Sequence, residues 1–469
     1  MNMAQNAQLQ KQLKTRHVTM ITIGGVIGAG IFVGSGAVIH STGPAAVISY
    51  LIAGILAMFV ARMLGELATA NPHASSFSEH VRLALGNWGG FTVGWLYWYF
   101  WVIAVAAEAV GAAGILHYWF PSIPVWAMSL GLLILMTLTN IFSVKSFGEV
   151  EFWFASIKVT AIILFLILGM AYILGVWPDK MLSFENLTTH GGFAPHGIAS
   201  IFQGIVPVMF AVIGTEIVTI TAAESVNPKE AIAKAIKSVI WRIMLFYVGS
   251  IFIIVCVLPW NHAGIIGSPY VSVINFLGIP GADQIMNFVV LTALLSCLNS
   301  GLYISSRMLF GLANKGDAPR MFVSLNRNGA PVKAILFGTV FGYLAIIAAY
   351  YSPELVFKFL INSSGTVVLF VYLLVAIAQL RMRARLEKEQ SELQVRMWAY
   401  PYLTYFTILS ILAILVLMAT NSEMVSQLIM SLVSLVIVLI MYGIRRSRYS
   451  EVKPTISNEV LEKNRELDL

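Results

Sequence analysis

The chain has 469 residues, of which 58% are hydrophobic and only 11% are charged. A soluble globule of this size needs far more polar surface, so the composition excludes a soluble protein and indicates one that lies in lipid. The formal net charge of +7 does not indicate nucleic-acid binding, because the basic residues are strung between apolar segments and are not clustered with exposed aromatic residues.

The first 17 residues are polar and basic, and they contain no short apolar stretch that ends in a cleavage site. We therefore expect a cytoplasmic tail and no signal peptide. The apolar stretches that follow span about 20 residues each, which is the length of a membrane-crossing helix, whereas a membrane β-barrel would alternate polar and apolar residues. The sequence predicts an all-α polytopic membrane protein with twelve transmembrane helices. The predicted spans lie near 18–39, 44–64, 91–119, 122–142, 152–175, 198–222, 239–259, 284–311, 333–352, 355–380, 399–419 and 425–444.

The positions of the basic residues predict the orientation of these helices. If the N-terminus is cytoplasmic, every Lys and Arg except Lys180 and Lys358 lies in a cytoplasmic loop, tail or helix end. This distribution follows the positive-inside rule, so both termini are expected on the cytoplasmic side of the membrane.

Two predicted spans contain residues that interrupt a helix. The first reads ITIGGVIGAGIFVGSGAVI (21–39), and its six glycines predict a local unwinding. The sixth reads FQGIVPVMFAVIGTEIV (202–218), where Gly204, Pro207 and Gly214 interrupt the apolar run. These spans hold corresponding places in two halves of five helices, which is the pattern of a 5+5 inverted-repeat transporter with discontinuous helices one and six. Close packing through small residues is the alternative.

The predicted layout has three parts. They are a tail at 1–17, a transmembrane domain at 18–445 with repeats at about 18–175 and 198–380 and two extra C-terminal helices within 399–444, and a charged cytoplasmic tail at 446–469.

Seven motifs resemble those of the bacterial amino acid permease branch of the amino acid–polyamine–organocation superfamily. They are IGAGIFVGSG (27–36), STGPA (41–45), RMLGELA (62–68), GWLYWYFWV (94–102), SVKSFGEVEFWFASIKV (143–159), GTEIVTITAAES (214–225) and SCLNSGLYISSRMLFGLA (296–313). The resemblance covers residues 11–445, and the stretches 357–383 and 396–405 resemble the γ-aminobutyrate permeases. It implies a 5+5 inverted repeat followed by two helices, and the import of an amino acid, with γ-aminobutyrate (GABA) as the expected substrate, by proton symport with alternating access.

The two interrupted spans also predict a substrate site. An amino acid needs donors for its carboxylate, which the backbone N–H groups at the positive end of a half-helix supply. It needs acceptors for its ammonium group, which freed carbonyl groups in span six supply. The expected substrate-binding residues are Gly28, Ala29, Gly30, Ile31, Glu108, Phe210, Ala211, Ile213 and Gly214. Ala29 stands where related permeases often have a hydroxyl residue, so backbone donors must bind the carboxylate alone. The resemblance further implies that Phe210 forms a lid over the substrate.

Four ionisable residues inside predicted spans are candidates for a function, because a charge there is costly and usually pairs or functions. Glu108 is expected to bind the substrate ammonium or to carry a proton, with a structural interhelical hydrogen bond as the alternative. The resemblance implies that Lys158 replaces the cation of sodium-coupled relatives and couples proton movement to transport, whereas snorkelling to the cytoplasmic face is the alternative. Glu216 is expected to cap freed N–H groups after the break in span six. Arg307 is expected to anchor its helix at the interface.

Polar residues of the eighth span are expected to support the same central region. They are Ser296, Asn299 and Ser300, for which simple interhelical hydrogen bonding is the alternative. The two cysteines, Cys256 and Cys297, lie inside apolar segments and are expected to act as small core residues, which leaves no disulfide framework, metal site or redox motif.

The sequence contains no HExxH, P-loop or GxSxG motif, so neither an enzyme nor a cofactor is expected. A permease for another neutral or aromatic amino acid, or a substrate sensor that does not transport, remains the alternative to GABA import.

Overall fold

The structure is a computed structural model of the chain, and every regular element that it describes is a helix. The described residues are 27–71, 76–142, 144–177, 184–214, 216, 236, 241–388, 393, 395–422 and 424–448, without the side chains of 142, 144–150, 447 and 448. In chain order the α-helices are α1 (Ala29–Phe32), α2 (Gly34–Thr42), α3 (Ala46–Ala70), α4 (Phe77–Leu85), α5 (Asn87–Trp119), α6 (Val125–Phe142), α7 (Val144–Ile173), α8 (Ile198–Val212), α9 (Gly249–Val257), α10 (Pro269–Phe276), α11 (Ala282–Asn314), α12 (Val332–Ala349), α13 (Pro353–Lys388), α14 (Tyr402–Thr420) and α15 (Val425–Arg448), and a π-helix (Arg242–Val248) leads into α9.

Eight helical segments in the described part of the chain are long and apolar enough to cross a membrane. Three shorter apolar helical segments add to them, at Val125–Ile141, Ile198–Val212 and Arg242–Val257. The chain is therefore a multi-pass membrane protein. The twelve-span count stays a prediction, because the second part of span six, predicted to run to residue 222, lies outside the described residues.

Several helices continue beyond the ends that the apolar pattern predicts. Helix α3 extends to Ala70 instead of residue 64, and α13 extends to Lys388 instead of residue 380. The helical hydrogen bonds continue beyond the apolar run, through polar and charged residues. Hydropathy predicts where the apolar run ends and does not predict where the helix ends. The amphipathic helix α4 and the helix α10 were not predicted, since both are too short to resemble a span.

Helices α5 and α11 form the centre of the bundle. They pack against each other along their length, and α5 also contacts α1, α4, α6, α12, α13 and α15. Nearly all side chains of α5 between Gly89 and Ala113 are buried. Helices α14 and α15 instead expose large apolar side chains such as Leu409 and Ile440, as expected for helices that face lipid.

A buried carboxylate ties α3 to α13 at the end of the bundle that is predicted to be cytoplasmic. Glu66 accepts hydrogen bonds from Gln379 Nε2 at 2.7 Å, Arg383 Nη1 at 3.0 Å and the Met397 N–H at 2.6 Å. Arg383 also pairs with Glu387 at 2.8 Å, and the Glu387 side chain is 53% exposed. Because a buried carboxylate with three donors is fully satisfied, Glu66 should hold these segments together.

We predict that Glu66→Gln lowers the free energy of unfolding by about 1–3 kcal/mol, because an amide cannot accept from all three donors as a carboxylate does. The matched control is Glu387→Gln, which removes the exposed partner of the same arginine and should cost less than about 1 kcal/mol. Thermal melting of the purified protein in detergent measures both. Equal melting temperatures for the two variants would show that the Glu66 contacts do not stabilise the fold.

Candidate functional site

The backbone of the first span is irregular at two points. Helix α1 begins after Gly28, and Val33 leaves helical geometry with φ −120° and ψ −52° before α2 continues. The Gly28 carbonyl accepts hydrogen bonds from the Ile31 N–H at 3.3 Å and the Phe32 N–H at 3.2 Å. The described part of the span is thus a single turn followed by a second helix, at the glycines where unwinding was predicted.

The Ala29 N–H points at a carboxylate from another helix. It donates to both oxygens of Glu108 on α5, at 3.0 Å to Oε1 and 2.9 Å to Oε2, and Glu108 is 2% exposed. A Cβ atom on Gly28 would lie 2.4 Å from Glu108 Oε1 and 2.8 Å from Cys297 Sγ. Glycine at position 28 therefore lets the carboxylate and the thiol approach the backbone of the first span.

The sixth span is interrupted close to its predicted glycine. Helix α8 ends at Val212, Ile213 is extended with ψ 159°, and Gly214 has a φ of +113°, which favours glycine. The Gly214 N–H donates to Glu216 Oε2 at 3.2 Å. Glu216 therefore binds an N–H group of the interruption itself, two residues before it, and the predicted following half-helix lies outside the described residues.

The two interruptions touch each other. A Cβ atom on Gly30 would lie 2.7 Å from Ala211 Cα, 2.8 Å from Ala211 Cβ and 3.0 Å from Phe210 Cδ1. The Phe210 ring also packs on Phe100 of α5, with ring centroids 6.2 Å apart. Ile31 and Ile213 are buried beside them. The predicted residues Gly28 to Ile31, Glu108 and Phe210 to Gly214 thus converge in one region that is closed to solvent.

Lys158 lies in the same region and is fully buried. Its Nζ is 4.0 Å from Glu151 Oε1, which accepts a hydrogen bond from Ser296 Oγ at 2.5 Å. Lys158 also interacts electrostatically with Glu108 and Cys297. This burial contradicts the snorkelling alternative, because a snorkelling ammonium reaches water.

Other predicted residues have separate surroundings. Asn299 on α11 accepts from Asn140 Nδ2 of α6 at 2.6 Å, so its side chain faces α6 and fits the interhelical alternative. Ser300 is fully buried, and its hydroxyl lies close enough to the Glu151 carboxylate to interact with it, so this residue does adjoin the Lys158 region. Arg307 is not the interface anchor that was expected, because its guanidinium lies over the buried Tyr303 ring at 3.6 Å.

Sequence reasoning missed three buried groups near the site. Glu151 is the partner of Lys158, and its spacing of seven residues, two helical turns, could have indicated the pair. Arg242 is 3% exposed and interacts electrostatically with Tyr247 and Glu216. Both Arg242 and Tyr247 belong to the π-helix, which no pattern of apolar residues reveals.

We predict that Gly30→Ala abolishes uptake, because the added methyl group would overlap the Ala211 backbone, and overpacking of this kind typically costs about 1–3 kcal/mol. The matched control is Gly114→Ala on α5, where a Cβ atom would meet nothing within 4 Å. Uptake of labelled substrate by cells with equal surface expression provides the measurement. Normal uptake by the Gly30 variant would mean that the two interruptions need not touch during transport.

Comparison with known proteins identifies the class of molecule to which this site belongs. The family model described as "Amino acid permease" matches residues 17–457. The chain is 56% identical to the gamma-aminobutyric acid permease of Bacillus subtilis, over 96% of each chain. It is 46% identical to that of Escherichia coli, over 86% of this chain and 87% of the relative. It is 38% identical to an aromatic amino acid transport protein of Corynebacterium glutamicum, over 85% and 87% of the two chains. The chain belongs to the amino acid permease family.

Proposed function

We propose that this permease imports γ-aminobutyrate by proton symport with alternating access. The observation that carries the proposal is the contact between the two helix interruptions, Gly30 against Ala211, beside the buried Glu108. Backbone polar groups freed inside a membrane are tolerated where they line a ligand site, and transporters place such sites between two discontinuous helices. The names of the relatives from Bacillus and Escherichia support GABA as the substrate.

The proposed architecture has twelve spans in a 5+5 inverted repeat followed by two helices, in a bacterial plasma membrane with both termini cytoplasmic. The interruptions of the first span and of α8 support the repeat, since they occupy corresponding places. The absence of Lys and Arg between residues 260 and 283, against five in residues 381–396, supports the orientation. The proposed domain limits remain 18–445, with tails on both sides.

In the proposed complex the substrate carboxylate binds to backbone N–H groups of the first span, and the ammonium group binds to carbonyl groups at positions 210–214. Charge-assisted hydrogen bonds of this type are stronger than neutral ones, which compensates for the loss of water from both charged ends. Because the surrounding side chains are buried, the described arrangement must open before substrate enters. We propose Phe210 as the lid, and its contacts with Gly30 and Phe100 support this role.

Lys158 is the proposed group for proton coupling. It is buried with Glu151 at 4.0 Å, and a lysine in such surroundings is costly to keep unless its charge has a partner or a function. Loss of its proton would leave Glu151 without a cation, so opening and protonation would be linked through this pair. Ser296 keeps the Glu151 carboxylate oriented toward the same region.

A permease for an aromatic amino acid is the second candidate. The 38% identical relative from Corynebacterium, named as an aromatic amino acid transport protein, favours it. The two candidates differ in substrate size, so competition between labelled GABA and aromatic amino acids separates them.

We predict that the purified protein accumulates labelled GABA in proteoliposomes whose interior is made alkaline. For one proton per zwitterion, a gradient of about one pH unit can drive about tenfold accumulation, because one unit is worth about 1.4 kcal/mol. Excess phenylalanine should compete poorly. Accumulation that persists with a proton ionophore would contradict proton symport. Strong competition by phenylalanine would favour the aromatic amino acid permease. Binding of GABA without any uptake would indicate a sensor.

We also predict that Lys158→Met abolishes concentrative uptake but leaves exchange of internal for external GABA. Methionine keeps the apolar stem and removes the titratable amine, so binding survives while coupling fails. The matched control is Lys333→Met, an exposed lysine at the start of α12. If the Lys158 variant accumulates GABA as the wild type does at several pH values, Lys158 has a structural role and does not couple proton movement to transport.

A further inference from the structure

The Glu108 carboxylate accepts a hydrogen bond from a backbone N–H group to which the substrate carboxylate is proposed to bind. Both of its oxygens accept from the Ala29 N–H, at 2.9 and 3.0 Å, and the side chain is 98% shielded from solvent. Oε1 also lies against the Gly28 backbone, where a Cβ atom would be only 2.4 Å away. In this arrangement an internal carboxylate binds where the substrate carboxylate is proposed to bind.

Two carboxylates cannot share this position while both are charged. A single N–H cannot hold both in good geometry, and like charges at close range in a dry site favour protonation of one of them. We propose that Glu108 is an internal competitor of the substrate carboxylate. Substrate binds to the Ala29 N–H only after Glu108 has taken up a proton and left that donor. The inference rests on the proposed function, since it assumes that a carboxylate substrate binds at the first span.

The surrounding charges favour this exchange. Within the described residues, the groups that interact electrostatically with Glu108 are Lys158 on α7, Cys297 on α11 and Tyr247 on the π-helix, and Glu151 acts through Lys158. With the thiol and phenol neutral, the two carboxylates and one ammonium carry one net negative charge. A substrate carboxylate would add a second negative charge, and protonation of Glu108 removes it. Helices α1 and α8 contribute no titratable side chain.

The other helices packed on α5 carry charged side chains toward their ends. These groups are Glu79 and Arg82 on α4, Lys333 on α12, Glu354, Lys358 and the basic residues from Arg381 on α13, and Arg445 on α15, while Tyr372 of α13 interacts with Tyr97 and Arg242.

The exchange gives each transported molecule one proton. The proton comes from the outer solution and resides on the Glu108 carboxyl group while the substrate occupies the Ala29 N–H. On the inner side the proton and the substrate leave, and the Glu108 carboxylate returns to Ala29, which opposes rebinding. Lys158 then acts in a later step, during reopening, so the two residues have separable effects.

The test is the dissociation constant of labelled GABA for purified protein across a pH series. In the wild type, the constant should rise about tenfold per pH unit once Glu108 is ionised, as expected for uptake of one proton on binding. Glu108→Gln should bind with a constant that does not change with pH, and Glu108→Asp should restore the dependence. Lys158→Met should keep the pH dependence of binding. The control Glu354→Gln, at an exposed carboxylate on α13, should match the wild type.

A pH-independent constant in the wild type, or an unchanged dependence in Glu108→Gln, would overturn the inference. If Glu108→Gln does not fold, the number of protons taken up when GABA binds to the wild type decides. About one proton should be taken up per bound GABA in weakly buffered solution, and no uptake would overturn the inference. If GABA does not bind but another amino acid does, the proposed substrate is wrong, and the same pH series with that amino acid decides the inference.

Discussion

A backbone N–H group without a helical partner must find an acceptor inside a membrane, and the arrangement of this permease centre depends on that requirement. The first described helix begins after Gly28, so the Ala29 N–H lies at a helix start and has no partner within the helix. Glu108 satisfies it from α5, 79 residues away in sequence. The buried carboxylate in turn needs the donor, because an unpaired charge in such an interior is far more costly than a hydrogen-bonded one. The Ala29 N–H and the Glu108 carboxylate therefore satisfy each other across two helices.

Other buried polar groups around the site also pair with one another. Glu216 accepts from the Gly214 N–H at the second interruption, and Glu151 interacts with both Lys158 and Ser296 between α7 and α11. Small residues allow these groups to meet, since Gly30 lies against Ala211 with no space for a side chain. A transported molecule that carries one carboxylate and one ammonium group can replace such internal partners one for one. In the exchange that we propose, the protonation of the site changes when substrate replaces the Glu108 carboxylate.

The sequence was a good guide where one helix carries the whole signal. Apolar runs identified the helical class and most spans, and the glycines predicted the positions at which α1 begins and α8 ends. Glu108 and Lys158 stood out because an ionisable side chain inside an apolar run is rare.

The interaction partners of these residues were harder to predict. The contact of Glu108 with Ala29 depends on how two helices approach each other. The contact of Asn299 with Asn140 depends on the rotation of α11 about its axis, which cannot be predicted from a helix that is almost uniformly apolar. The π-helix that buries Arg242 changes the register of side chains without changing composition. The helix ends were misjudged for a related reason, since hydrogen bonding continues where apolar residues stop.

The most direct test of the account is difference infrared spectroscopy of the reconstituted permease with and without γ-aminobutyrate, near neutral pH. Substrate binding should produce the carbonyl stretch of a protonated carboxylic acid, and this band should be absent in Glu108→Gln while GABA still binds. A difference spectrum without a carboxylic acid band in the wild type, at saturating GABA, would contradict the claim that the substrate takes the place of the Glu108 carboxylate.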